Sequence, residues 1–202
     1  MLYNADIYAQ HPRVEVVDGL VPPVICRHFI DIGKKNLKPS QVIQATKESK
    51  KTVDTRTSMN SWIAHNQTEM TQALADQISD LVKIPLENAE KFQLIHYKET
   101  QEYKPHYDAF DPNTFGGAKA LMQGGQRILT ALIYLNNVPE GGGTSFPNLG
   151  FNINAKQGRM VIFHNLIDGT SERHPDSKHG GMPVLLGEKW AINLWFRESK
   201  FT

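Results

Sequence analysis

The stretch Gln101-Glu-Tyr-Lys-Pro-His-Tyr-Asp-Ala-Phe110 places a histidine and an aspartate two positions apart, at His106 and Asp108. In a β-strand alternate side chains point to the same face, so this pair can reach one metal ion from a single strand. Two side chains do not complete a metal site, and short combinations of common polar residues also arise by chance. The pair therefore predicts a metal site only if a third ligand approaches from elsewhere in the chain.

The candidate third ligand is His179, which lies in Ser177-Lys-His-Gly-Gly-Met-Pro-Val184. Two histidines and one carboxylate form a facial triad that leaves coordination positions open, the arrangement of non-haem Fe(II) oxygenases. His174 is the rival histidine. Asp111 is the rival carboxylate, although it falls outside the His-x-Asp alternation. The Gly-Gly-Met-Pro-Val context and the spacing to Lys189 favour His179 over His174.

Lys189 follows His179 by ten positions. If residues 182–186 form one strand, Gly187 a turn and residues 189–196 the returning strand beside it, both side chains project into one barrel interior. A lysine inside a barrel needs an anion, because an unpaired buried charge is costly. The far carboxylate of a dicarboxylate cosubstrate bound to the metal is such an anion.

Helical patterns precede strand patterns along the chain. Pro22-Pro23 marks the entry to a helix over about residues 24–35, and Asn66-Gln-Thr-Glu69 offers a helix N-cap before apolar residues at helical spacing. Residues 51–63 are interpreted as an extended segment that leaves into a loop. From Lys91 onward, β-rich runs are separated by Gly, Pro and Asn clusters. This order predicts an α+β chain whose C-terminal half is an antiparallel sandwich or barrel.

The composition of the 202-residue chain suits one globular domain with a sizeable core. Twenty-two basic against 21 acidic residues leave no charge excess that would attract nucleic acid or a membrane surface. No stretch approaches the roughly 20 apolar residues of a membrane span, and the N-terminus lacks the basic start and apolar run of a signal peptide. The single cysteine, Cys26, cannot form an internal disulfide. We expect a cytoplasmic protein without nucleic-acid or membrane partners.

As an ordered set, these motifs resemble those of the prolyl 4-hydroxylases in the Fe(II)/2-oxoglutarate dioxygenase superfamily. The resemblance rests on His106-Tyr-Asp108, His179, the turn Gly141-Gly-Gly-Thr-Ser-Phe146 and the ending Lys189-Trp190. It runs from about residue 14 to residue 196 and is nearest to the short enzymes of algal, plant, viral and bacterial type. It implies a double-stranded β-helix, or jelly roll, over about residues 91–198. Helices mainly within residues 20–90 would support this core, in one domain spanning residues 1–202.

The resemblance also implies roles for the metal cluster and the residues around it. The implied Fe(II) ligands are His106, Asp108 and His179. The residues implied to bind 2-oxoglutarate are Lys189 and Thr144, at its distal carboxylate, and Tyr97, while Trp195 matches a pocket tryptophan. Dioxygen is the second cosubstrate, and ascorbate is the expected reductant. The reaction would hydroxylate a peptidyl proline while 2-oxoglutarate is converted to succinate and carbon dioxide.

Five further residues fall where the algal-type enzymes contact the peptide: Tyr103, Glu90, Arg127, Arg56 and Trp62. Without the resemblance, the aromatic residues in strand patterns would be interpreted as core. The Gly-rich segment 109–126 follows the proposed ligands directly and is long for a loop in a compact domain, which is typical of a lid. Its closure over the peptide would shield the reaction.

The sequence leaves other functions open. The same oxygenase chemistry could act on a non-proline residue or a small molecule, because substrate loops vary. Three protein ligands and an open position also describe catalytic zinc, although a hydrolase gives Lys189 no task. A non-catalytic jelly roll that binds peptide or sugar is the remaining alternative. Two positions depart from the family pattern: Met182 stands where relatives often have Cys, and Arg197 stands where the algal-type enzyme has a His that touches the peptide.

Overall fold

The structure, a computed structural model, describes residues 4–41 and 55–202. Residues 51–54 of the predicted extended segment therefore lie outside the described residues. The α-helices of the described part are α1 (Pro23–Gly33), α2 (Glu69–Val82) and α3 (Phe115–Leu121). Its strands are β1 (Asp6–Gln10), β2 (Arg13–Val17), β3 (Lys38–Pro39), β4 (Met59–Ile63), β5 (Phe92–Tyr97), β6 (Tyr103–His106), β7 (Arg127–Tyr134), β8 (Glu140–Gly141), β9 (Thr144–Phe146), β10 (Phe151–Ile153), β11 (Met160–His164), β12 (His179–Gly181), β13 (Val184–Leu186) and β14 (Lys189–Arg197).

Two antiparallel sheets face each other. The larger has eight strands in the order β1-β2-β11-β7-β14-β5-β4-β3, and the smaller has four in the order β10-β9-β12-β6. Strands β13 and β8 form a separate pair. This arrangement confirms the predicted α+β class with a jelly-roll core. Strands β1 to β4 precede residue 91 and also join the larger sheet.

The larger sheet is buried on both faces, because successive side chains of a strand point to opposite sides. Leu94 and Ile133 belong to the core cluster that contains residues of α1 and α2. Their chain neighbours Ile95 and Leu132 belong to a second cluster, which contains Phe146 of the smaller sheet. The central strands therefore carry apolar runs without alternation.

Helix α2 begins two residues later than the sequence predicts. Its N-cap is Thr68, whose side chain accepts a hydrogen bond from the backbone N–H of Thr71, and the Thr71 hydroxyl accepts one from the backbone N–H of Thr68. Asn66 is not the cap, because residues 65–67 form a 3₁₀ turn ahead of the helix. None of the described helices is both long and apolar enough to cross a membrane.

The predicted hairpin of residues 182–186 with residues 189–196 is wrong. Strand β13 pairs with β8, whereas β14 pairs with β5 and β7 in the larger sheet. Gly187 between them has φ of +86°, a left-handed conformation that glycine adopts without strain, and the chain crosses there from one sheet to the other. Consequently His179 on β12 and Lys189 on β14 approach the cavity from opposite sheets.

The segment 109–126 contains helix α3 rather than loop alone. The Gln126 side chain closes its two ends, since its Oε1 accepts from the Phe110 N–H and its Nε2 donates to the Phe110 carbonyl, both at 2.8 Å. Thr114 caps α3 by accepting from the Gly117 N–H. A Cβ at Gly117 would lie 2.0 Å from the Asp111 carbonyl oxygen, so only glycine fits. The ends of the segment are thus fixed, and its motion as a lid stays a prediction.

Candidate active site

Three potential metal ligands meet where β6 and β12 pair. His106 is the last residue of β6, Asp108 follows two positions later, and His179 opens β12 directly opposite His106. One ligand atom from each residue lies within 4.8 Å of the others. The Nε2 atoms of His106 and His179 lie 3.6 and 3.5 Å from the two carboxylate oxygens of Asp108. The pairing of two strands thus joins residues that are far apart in sequence.

Both imidazoles are oriented by the same contact. Nδ1 of His106 lies 3.0 Å from the Lys104 carbonyl oxygen, and Nδ1 of His179 lies 3.0 Å from the Ser177 carbonyl oxygen. A carbonyl only accepts hydrogen bonds, so these contacts assign the proton to Nδ1 in each ring. The lone pair of each Nε2 is then available to a metal, which is the usual arrangement of a ligating histidine.

Asp108 is held by donors on its Oδ2 atom. The Thr130 hydroxyl donates to Oδ2 at 2.7 Å, and the Trp195 indole N–H donates at 2.9 Å. Burial alone would raise the pKa of Asp108, but His179 and His106 hold that pKa well below its usual range. Burial lowers the pKa of His179 to about 4. At neutral pH an anionic carboxylate therefore faces a neutral His179 imidazole, the protonation states that bind a metal.

This donor set fits a non-haem Fe(II) ion, since two imidazoles and one carboxylate leave the remaining coordination positions open to the cavity. The cavity has a volume of about 650 Å³. The rival ligands lie outside the cluster. Nδ1 of His174 accepts a hydrogen bond from the Asp176 N–H, and a carboxylate oxygen of Asp111 accepts one from the Asn113 N–H. Among the described residues, the cluster of three is the one grouping of this kind.

Lys189 reaches the same cavity from the larger sheet. It is 2% exposed, and its Nζ lies 5.3 Å from the ring centre of Tyr97 and 5.2 Å from that of Tyr134. No ion pair within the described part of the chain includes Lys189, and burial lowers its pKa to about 7. The Thr144 hydroxyl is 2.6 Å from the Tyr134 hydroxyl beside it. An ammonium with neighbouring hydroxyls suits a carboxylate, because a buried charge needs a counter-charge.

One side of the cavity opening is formed by Tyr103 and Arg56. The Tyr103 ring stacks on His106 with 3.6 Å between centres, and the Arg56 guanidinium lies 4.7 Å from the Tyr103 ring. Arg56 also donates to Oε1 of Gln93 at 3.0 Å. Burial raises the pKa of Tyr103 to about 12, so its phenol stays a neutral hydrogen-bond donor. Trp62 is half exposed near this opening.

The buried carboxylate of Glu90 organises another part of the cavity wall. Arg127 binds both of its oxygens, at 2.6 and 2.8 Å, and Nε of Arg197 lies 2.7 Å from Oε1. Burial would raise the pKa of Glu90, but the two arginines lower it. Arg127 lies 3.7 Å from the Trp195 ring, and Arg197 donates to the Gly125 carbonyl at 2.6 Å. Segment 109–126 is thereby fastened to the sheet beside the metal cluster.

All residues singled out from the sequence line this one cavity, on its described walls: His106, Asp108, His179, Lys189, Thr144, Tyr97, Trp195, Tyr103, Arg127, Glu90, Arg56 and Trp62. The sequence did not identify Tyr134 or Thr130, nor the pairing of Arg197 with Glu90. The sequence could have indicated Thr130, because it is a polar residue inside the apolar run of β7. The partner of Arg197 is 107 residues away, and no local pattern indicates it.

Comparison with known proteins agrees with this site. Residues 92–197 match the model of the 2OG-Fe(II) oxygenase superfamily. A protein of Acanthamoeba polyphaga mimivirus described as a prolyl 4-hydroxylase is 37% identical over 98% of this chain and 79% of its own length. Prolyl 4-hydroxylase 5 of Arabidopsis thaliana is 33% identical over 97% of this chain and 72% of its own length.

Solved structures show the same architecture. The viral collagen prolyl hydroxylase of Paramecium bursaria Chlorella virus-1, in its complex with 2OG, superposes with a TM-score of 0.70 at 25% identity. The match covers 90% of this chain and 94% of the viral chain. A Trichoplax adhaerens prolyl hydroxylase superposes with a TM-score of 0.67 at 17% identity, covering 92% of this chain and 83% of its own. At that identity the likeness concerns the fold alone.

Proposed function

This chain belongs to the prolyl 4-hydroxylases of the 2-oxoglutarate- and Fe(II)-dependent oxygenase superfamily, and from that premise we propose that it hydroxylates proline residues of a peptide or protein. The reaction is coupled to the decarboxylation of 2-oxoglutarate to succinate and carbon dioxide. Membership of an oxygenase family removes the non-catalytic alternative and leaves the zinc hydrolase without support.

The observation that carries the proposal is the pairing of two features in one cavity. His106, Asp108 and His179 present three metal-binding atoms, and Lys189 presents a buried ammonium without an ion-pair partner in the described chain. A metal triad alone would serve many reactions. The additional unpaired lysine is accounted for by a cosubstrate that carries a second carboxylate, as 2-oxoglutarate does.

The three residues of the cluster would hold Fe(II), which supplies the activation of dioxygen and the oxidation of 2-oxoglutarate when bound. The protein contributes orientation and shielding. Thr130 and Trp195 hold Oδ2 of Asp108, which fixes the plane of that carboxylate. Lys189 and Thr144 would bind the distal carboxylate of 2-oxoglutarate, and Tyr97 would help to hold the cosubstrate.

The peptide binds at the opening, against residues from three parts of the chain: Arg56, Trp62, Glu90, Tyr103 and Arg127. Stacking on His106 holds Tyr103 beside the metal ligands, where it would contact the peptide next to the target proline. Segment 109–126 would cover the bound peptide and exclude water, and ascorbate would serve as the reductant. The reaction takes place in the cytoplasm, in a single domain that spans residues 1–202.

The test is mass spectrometry of proline-containing peptides incubated with the protein, Fe(II), ascorbate and 2-oxoglutarate. We expect one added oxygen atom on proline and an equal amount of succinate. Lys189→Ala should abolish both products at low 2-oxoglutarate concentration. Absence of an added oxygen on any proline across a broad peptide panel would contradict the proposal.

A second candidate is the same oxygenation of a non-proline residue or a small molecule. The observation that favours it is Arg197, which replaces the peptide-contacting histidine expected from the resemblance and instead pairs with Glu90. Succinate formation that requires a substrate without proline would select this candidate.

A further inference from the structure

The cavity carries an excess of positive charge that the chain as a whole does not. The chain has a net charge of +1. Among the described residues that line the cavity, six are cationic and three are anionic. The cations are Arg56, Lys91, Arg127, Arg173, Lys189 and Arg197, and the anions are Glu90, Asp108 and Asp111. Fe(II) and the dianion 2-oxoglutarate would cancel each other, so an excess of three positive charges faces the substrate.

These charges differ in how the protein neutralises them. Arg127 and Arg197 share the carboxylate of Glu90. Lys189 would pair with 2-oxoglutarate in the proposed function. Arg173 has no carboxylate within ion-pair distance anywhere in the described chain, and its partners are a carbonyl oxygen and an aromatic ring. Arg56 also has no carboxylate partner in the described chain, but its Nε and Nη2 donate to Ser58 and Gln93, and Lys91 is exposed to solvent. Arg173 is therefore the guanidinium of this group with the fewest hydrogen-bond acceptors among the described residues.

The geometry of Arg173 is fixed. It lies in the connection between β11 and β12, where its backbone forms a bridge with Leu166. Its Nη2 donates to the Ala109 carbonyl at 3.0 Å, directly after the iron ligand Asp108 in the chain. Its guanidinium lies 4.5 Å from the ring centre of Tyr107. Nε is buried without an acceptor among the described residues, and Nη1 makes no hydrogen bond to any of them.

A second cation, Lys178, lies near the Tyr107 ring that Arg173 contacts. Nζ of Lys178 lies 6.0 Å from the Tyr107 ring centre, and the Tyr107 hydroxyl donates to the Pro175 carbonyl, which fixes the ring. A guanidinium held in place beforehand binds a carboxylate well, because little rotamer freedom is lost on binding. The positive field of the cavity attracts acidic ligands over a longer range.

We propose that Arg173 binds the carboxylate of an aspartate or glutamate near the target proline, so that the substrates are acidic proline-containing segments. The inference rests on the proposed function, which it deepens by naming the substrate class. Arg173 acts as a specificity-determining residue and takes no part in the oxidation.

The experiment compares three peptides that share one proline and have amidated C-termini, so that no terminal carboxylate contributes. One carries glutamate on both sides of the proline region, one carries glutamine there, and one carries lysine. Binding is measured by fluorescence anisotropy of labelled peptides with Mn(II) in place of Fe(II), and hydroxylation is measured as kcat/KM. The variants are Arg173→Gln, Arg173→Lys and Arg173→Glu. Arg27→Gln is the matched control, because it removes one positive charge from the exposed side of α1.

The wild-type protein should prefer the glutamate peptide over the glutamine peptide by about tenfold in affinity and in kcat/KM. Arg173→Gln should remove that preference, Arg173→Lys should keep part of it, Arg173→Glu should favour the lysine peptide, and Arg27→Gln should leave it unchanged. Equal use of all three peptides, or a preference that survives Arg173→Gln, would overturn the inference while the proposed function stands. Charge-selective binding without hydroxylated proline in any peptide would support the inference and overturn the proposed function.

Discussion

Two groups of residues that line the cavity differ in whether their charges are paired within the protein. In one group, which we call the floor, His106, Asp108, His179 and Lys189 come from strands of both sheets, and Lys189 has no ion-pair partner in the described chain. In the other group, which we call the mouth, Arg127 and Arg197 both pair with Glu90. The floor therefore needs a metal ion and an anion from outside the protein, whereas the arginines of the mouth already have a carboxylate from the protein. Changes at the floor should therefore remove chemistry and spare the fold, and changes at the mouth should weaken both.

The largest effect is expected at the floor, for His179→Ala. Loss of one of three metal ligands should lower the rate of 2-oxoglutarate turnover by about a thousandfold or more, since the metal contributes several kcal/mol to the reaction. Mn(II) affinity measured by calorimetry should fall in parallel. The matched control is His174→Ala, because His174 is the nearby histidine that lies outside the cluster. If His174→Ala abolishes metal binding and His179→Ala does not, the assignment of the floor is wrong.

The next effect belongs to the mouth. Glu90→Gln leaves two buried guanidinium groups without their counter-charge, and removal of one member of a buried pair typically costs about 3 kcal/mol of unfolding free energy. Urea denaturation should show this loss, while Mn(II) affinity stays unchanged. Glu87→Gln is the control. Its ion pair with Lys200 at 3.4 Å is exposed, so it should cost less than about 1 kcal/mol. Equal losses for the two variants would contradict the distinction between floor and mouth.

The metal ligands of the floor could be predicted from the sequence because each lies in a short, recognisable sequence pattern. His-x-Asp alternation places two ligands on one face, and the glycine-rich context of His179 marks the third. The order of helical and strand patterns likewise predicted the fold class. The path from His179 to Lys189 could not be predicted, since a left-handed glycine such as Gly187 can end a strand within a hairpin or pass the chain to another sheet.

For the mouth, the sequence predicted which residues line it but not which of them pair with each other. Glu90 and Arg127 were named from the resemblance, yet the ion pair of Glu90 with Arg197 joins residues 107 positions apart. Charge patterns do not say which carboxylate meets which guanidinium over such a distance. Arg197 appeared in the sequence only as a departure from the family pattern, and its function as a fastening for segment 109–126 became visible through its bonds to Ala120 and Gly125.

The pH dependence of 2-oxoglutarate binding tests whether the ligand supplies the counter-charge of Lys189. Tyr97 and Tyr134 face Lys189, and burial lowers its pKa to about 7. A bound carboxylate raises that pKa, so binding takes up a proton above pH 7, and the affinity should fall about tenfold per pH unit as the pH rises above 7. Calorimetry with Mn(II) in buffers of different ionisation enthalpy measures the uptake. Lys189→Arg should flatten the dependence, because arginine does not titrate there. A flat profile in the wild-type protein would show that Lys189 is already charged without the ligand.

The smallest effect is expected for Trp62. Its substitution distinguishes peptide binding at the mouth from the ion pairs that stabilise the mouth. Trp62 is 50% exposed and its ring centre lies 6.2 Å from that of Trp195, so truncation removes one aromatic contact and little core. Trp62→Ala should raise the KM for peptide about threefold, since an aromatic contact of this kind is worth roughly 0.5–1.5 kcal/mol. It should leave 2-oxoglutarate affinity and unfolding free energy nearly unchanged. Tyr8→Ala is the control, because Tyr8 is a similarly exposed aromatic on β1 at the far edge of the larger sheet. If Trp62→Ala destabilises the fold as Glu90→Gln does, Trp62 belongs to the internal bracing of the mouth and not to its peptide-binding surface.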